Sequence, residues 1–139
     1  MATLFVARSA ELSQWASDVG LSKHVYKLGV TAAPIKEVLA AGWAGFAGWA
    51  LVKKQDGVDN LDNDTAIETA AARIKMVDPA LYPRLRGEAG IFKVTPAQVE
   101  NHIVLTRALA GRHDAEEIKP KHPDFADFLI HNALRGTGG

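Results

Sequence analysis

Seven side chains in this chain offer the most chemistry: one glutamate, two lysines, one tyrosine and three arginines. Glu68 stands near the start of a helical pattern. A carboxylate there suits a hard cation such as Mg²⁺, which keeps several of its waters when bound. Such an ion would orient and activate water and offset charge on a leaving group. The same glutamate follows Thr65 by three residues, the spacing of a capping box, so it could equally be spent on the helix start. Lys27 lies in a strand-like run, where its ammonium would contact a phosphate, depress a neighbour's pKa, or point to solvent. Lys36 is a second phosphate contact in type, although a charge on the outer face of a short helix is ordinarily only solvated. Tyr26 fits catalysis by its hydroxyl and core packing by its ring. Arg84 and Arg86 sit in an irregular segment, where binding residues concentrate; the alternative is a pairing with Asp78 or Glu88. Together with Arg73, Lys75 and Lys93 they form a modest basic patch.

Composition narrows the field. The 139 residues suit one domain, and 47% are hydrophobic. There is no cysteine. That excludes a disulfide framework, a thiolate zinc site and a cysteine nucleophile, and it fits a reducing, cytoplasmic setting. The 16 basic and 16 acidic residues cancel, which counts against a large electrostatic footprint for nucleic acid. The most apolar stretch, 38–52, is interrupted by Gly42, Gly45 and Gly48 and is shorter than the ~20 residues a membrane helix needs. The first ten residues read as a strand, not a signal peptide. The five histidines are scattered, with no zinc-binding pair; His102 reads as a hydrogen-bonded core residue and His122 as part of a helix start. Trp15, Trp43 and Trp49 sit among apolar neighbours, which favours packing over base stacking. Serine elbows, phosphate-cradling glycine loops and dinucleotide fingerprints are absent from the sequence.

Periodicity places these residues on elements. Strands are expected at 3–7, 24–31, 46–53 and 91–94. Along the second strand, Val25, Lys27 and Gly29 would face one side and Tyr26, Leu28 and Val30 the other. Helices are expected at 10–18, capped by Ser9, and at 34–40, opened by Pro34 and stopped by Gly42. A third should run from Thr65 to about Met76, with Ile67, Ala71 and Ile74 inward. A fourth, at 96–110, has a Thr95–Gln98 capping box and Val99, His102 or Ile103, and Leu109 inward. The last begins near Pro123 and carries an apolar stripe of Phe125, Phe128 and Leu129. The expected fold is α+β, a three- or four-stranded mixed sheet flanked by helices. Its organisation is a domain over 1–111, a charged connector and C-terminal helix over 112–135, and a disordered tail over 136–139.

The run Val25-Tyr26-Lys27-Leu28-Gly29-Val30-Thr31, followed by a short helix, resembles the second motif of the GIY-YIG nuclease superfamily, in the branch where it reads Lys-hydrophobic-Gly-hydrophobic-Thr. Phe5 then falls where the first motif would lie. Ile67-Glu68 resembles the opening of the helix that carries that family's metal-binding glutamate. Tyr82-Pro83-Arg84-Leu85-Arg86-Gly87, leading into Gly90-Ile91-Phe92-Lys93-Val94, is similar to the branch's closing pattern. The resemblance spans about residues 2–105. It implies a small mixed sheet and phosphodiester cleavage with one divalent ion, Mg²⁺ or Mn²⁺, on Glu68. Lys27, Lys36 and Tyr26 would stand near the reacting phosphate, with Arg73, Arg84 and Arg86 along a nucleic acid, DNA ahead of RNA. The motif departs from the family at several points. Phe5 has no hydroxyl where a tyrosine is usual. Lys27 occupies the second tyrosine position, and Glu37 falls near the position of the helix arginine. A catalytically inactive binding or interaction module on the same fold is therefore the alternative expectation. Self-association through Phe125, Phe128 and Leu129 is another.

Overall fold

The computed structural model of the chain describes residues 2–111 and 119–135. Most of the charged connector and the whole C-terminal tail expected from the sequence lie outside the described residues. In chain order the elements are β1 (Thr3–Ser9), α1 (Ala10–Asp18), β2 (Val25–Thr31), α2 (Ile35–Ala41), β3 (Trp49–Asp56), α3 (Asn63–Ala71), β4 (Lys75–Met76), a 3₁₀ turn (Pro83–Leu85), β5 (Ile91–Lys93), α4 (Pro96–Leu109) and α5 (His122–Leu134). The class is α+β. The sheet has five strands in the order β3-β1-β2-β5-β4, and every pairing is antiparallel. It is thus one strand larger than expected and not mixed.

The extra strand comes from the third helix. Asp62, not Thr65, is its cap: the Asp62 carboxylate accepts from the Thr65 N–H at 2.8 Å and from the Thr65 hydroxyl at 3.0 Å. An aspartate accepts strongly at this position, so the Thr65–Glu68 capping box does not form. The helix ends at Ala71 and not near Met76, and Ala70 is buried where Ala71 was expected. Lys75 and Met76 pair with Lys93 and Phe92 along the edge of β5. This buries Ile74 and satisfies backbone groups that β5 would otherwise leave open.

Strand alternation divides the interior in two. Leu4, Val6, Tyr26, Leu28 and Phe92 pack with α3, α4 and α5 on one face. Leu12 and Ala16 of α1 pack with Val25, Phe46, Leu85 and Ile91 on the other. α5 is part of the first core, with Phe125 and Leu129 at 2% and 0% exposure and Phe128 half-buried. The stripe expected to serve self-association is therefore consumed within the chain. Leu109, expected inward, is 91% exposed at the end of α4. Pro34 sits at the cap of α2, one position before its expected place. Among the described residues no helix is long and apolar enough to cross a membrane.

Candidate functional site

β2 is the central strand of the sheet, between β1 and β5, and it carries the motif. Lys27 is opposite Ala7 on β1 and Ile91 on β5. Flanked on both sides, its side chain is 3% exposed, so neither a solvent-facing lysine nor an open phosphate contact describes it. Its ammonium donates to Glu88 Oε1 at 3.0 Å and to the Ala89 carbonyl at 2.5 Å. Burial pulls the Lys27 pKa below its ordinary value, and the Glu88 carboxylate opposes that shift. Gly29, two residues on, explains the glycine of the motif. A Cβ there would stand 2.8 Å from the Phe5 ring and 3.1 Å from Asn63 Oδ1. The bare backbone lets Asn63, the first residue of α3, accept from the Val30 N–H at 2.9 Å.

A loop covers this face. Trp43 stacks on Phe5 with centroids 5.4 Å apart, meets Trp49 edge-on at 4.8 Å, and has the Lys27 ammonium 5.8 Å from its ring. Two arginines pin the loop from the other side. Arg84 donates to the Ala44 carbonyl and lies 3.8 Å over the Phe46 ring. The Arg86 guanidinium crowds Gly45 closely enough that a Cβ there would be 2.7 Å from Nη1. Ala44 and Arg86 both adopt left-handed backbone, at φ 56° and 53°, which side chains other than glycine hold only when their surroundings demand it. Arg84 is thus bound to the loop backbone, and Glu88 to Lys27, rather than to each other.

Tyr26 is on the opposite face. Its ring stacks on Phe125 at 5.5 Å and its hydroxyl meets His122 Nδ1 at 2.8 Å. Burial pushes its pKa up to about 12. Lys36 on α2, Glu68 on α3 and Arg73 just after α3 are all exposed. The strand pleat therefore parts Tyr26 from Lys27, and Lys27 is enclosed. His102 is half-buried against Phe128 and His131, with ring centroids 5.5 Å and 4.9 Å away.

No protein-family model, curated protein or solved structure matches this chain.

Among the described residues no three His, Asp or Glu side chains gather as a metal would need. Mg²⁺ can bind through one or two carboxylates plus substrate phosphates. Glu68 would be the donor, but Lys27, the cation expected to flank it, is already spent on Glu88 and Ala89. This donor set does not fit a ready-made ion site. Sequence reasoning missed the covering role of Trp43 and the partnership of Lys27 with Glu88. Both depend on contacts between distant segments and leave no local signature.

Proposed function

We propose that the chain is a binding module on a GIY-YIG-like scaffold that does not hydrolyse phosphodiesters. The observation that carries this reading is the burial of Lys27. The lysine of the second motif is bonded to Glu88 and Ala89 under Trp43, so it can meet a scissile phosphate only if that loop opens. Phe5, at the first-motif position, supports the same conclusion, because a phenyl ring can neither position nor deprotonate water. Nucleic acid, DNA ahead of RNA, is the ligand class the resemblance implies. Of the three arginines expected along it, Arg73 and Arg86 are exposed and Arg84 is half-buried.

A second reading keeps hydrolysis, and one observation favours it. The cap of α3 is supplied by Asp62, which leaves the exposed Glu68 outside the helix cap. Cleavage of labelled single- and double-stranded DNA with Mg²⁺ or Mn²⁺, comparing wild type with Glu68→Gln purified identically, separates the two. Equal background in both proteins is expected. Metal-dependent cleavage by wild type that Glu68→Gln abolishes would overturn the proposal.

A further inference from the structure

A cavity of about 830 Å³ opens where the start of α5 meets α1 and the entry to β2, away from Lys27. Arg8, Lys23 and Lys121 line it, with His24, His122 and Phe125, and among the described residues none of the lining is acidic. The chain as a whole has no net charge, so this collection of cations is local. The described carboxylates on the lining helices already accept hydrogen bonds, among them Asp124 from the Lys121 N–H at 2.9 Å, Asp18 from the Gln14 amide at 2.9 Å, and Glu11 from the Ala47 N–H at 3.3 Å. Ser13 and Ser17 of α1 add hydroxyls to the same wall.

The histidines contribute differently. His24 stacks on Phe125 almost in parallel, at 4.8 Å and 11°, which makes a flat wall. The Tyr26 hydroxyl hydrogen-bonds His122 Nδ1 at 2.8 Å, which holds the imidazole in place. In the tautomer where that hydroxyl donates, the ring proton of neutral His122 is on Nε2, a donor that can serve an anion without being charged. The volume falls within the range of small-molecule pockets and far exceeds what a bare inorganic anion needs. A phosphate monoester brings close to two charges and three acceptor oxygens, which suits three cations better than a single carboxylate does.

The geometry points to a binding site for an organic phosphate monoester, with Arg8, Lys23 and Lys121 around the phosphate and the His24–Phe125 wall beside the organic body. This goes beyond the proposed function and does not depend on it, because the cavity shares no residue with the Lys27 face. Calorimetric titration of the full chain with adenosine 5′-monophosphate, adenosine, and a short oligonucleotide with or without a 5′-phosphate tests it. The monophosphate should bind and adenosine should bind at least about tenfold more weakly, as loss of charge-assisted hydrogen bonds requires. The double substitution Arg8→Gln, Lys121→Gln should weaken the monophosphate by about tenfold or more. Binding of the monophosphate alone assigns the site to free metabolites. Binding of the 5′-phosphorylated strand as well, or instead, assigns it to strand ends. The idea fails if neither phosphorylated probe binds, or if phosphate makes no difference to affinity. As a check that needs no variant, the His24 and His122 imidazole resonances of wild type should move with the monophosphate and not with adenosine. Unmoved resonances would also overturn the site.

Discussion

Lys27 shows how one side chain can look functional by type and be structural by placement. Its ammonium is enclosed, yet Glu88 keeps its side chain 35% exposed and can be rehydrated when its partner is lost. Lys27→Ala removes the pair, frees the Ala89 carbonyl and leaves a void. It should cost about 2–4 kcal/mol in urea unfolding. Lys27→Met, which fills the space without a charge, should cost less than Lys27→Ala, since apolar replacement of a buried ion often breaks even. If the two variants were equally stable, the void would not matter and this account of the site would be wrong. Gly29 makes a sharper case. An added methyl must displace the Phe5 ring at 2.8 Å and the Asn63 amide at 3.1 Å. Gly29→Ala should therefore lose about 1–3 kcal/mol, the usual range for overpacking. Wild-type stability in that variant would show that β2 and α3 separate freely.

The start of α3 and the junction of β2 with α5 each rest on a few polar contacts. Asp62 caps α3 through the Thr65 N–H and hydroxyl, and these bonds hold its carboxyl below the usual range. Asp62→Ala should lower the melting temperature, whereas Glu68→Ala should leave it nearly unchanged; the reverse order would restore the capping box expected from the sequence. At the junction, His24 lies on Phe125 and His122 takes the Tyr26 hydroxyl. Burial lowers the pKa of both imidazoles, and Lys23 and Arg8 add to that effect, Lys23 at both rings and Arg8 at His122. His102 on α4 is lowered too, first by burial and then by His131. For a base, a depressed folded pKa means that the unfolded chain takes up protons first. Stability is then complete above the ordinary value of 6.5 and declines as pH falls below it. Urea midpoints measured from pH 7.5 down to pH 5 should fall with pH, and His122→Gln should flatten part of that slope. A midpoint independent of pH across this window would remove these histidines from the energetics.

In the molecule as a whole, α5 closes the core that the sheet and α3 begin. Phe125, Ala126, Leu129, Ile130 and Ala133 are all buried there, beside Tyr26, Leu28 and Phe92. A chain ending at Gly111 should lose cooperative thermal unfolding, as a sheet face stripped of its cover would. A sharp transition in that fragment would mean that residues 1–111 stand alone. Several features were legible in the residues themselves, because local rules decide them. α1 begins and ends where its cap and periodicity say, the Thr95–Gln98 box forms, and the alternation along 25–30 assigns Tyr26 and Lys27 to opposite faces. Other features could be settled only in three dimensions. The edge strand at Lys75–Met76 exists because β5 offers it unpaired backbone. The motif lysine is sealed because Trp43 folds back over it and Glu88 arrives 61 residues later to pair with it. Tyr26 reaches His122 across 96 residues. Caps, turns and period depend on neighbours in the chain, and the sequence determines them by itself. Burial, ion pairing and the gathering of charge around a cavity depend on which distant surfaces meet, and only the tertiary structure decides that.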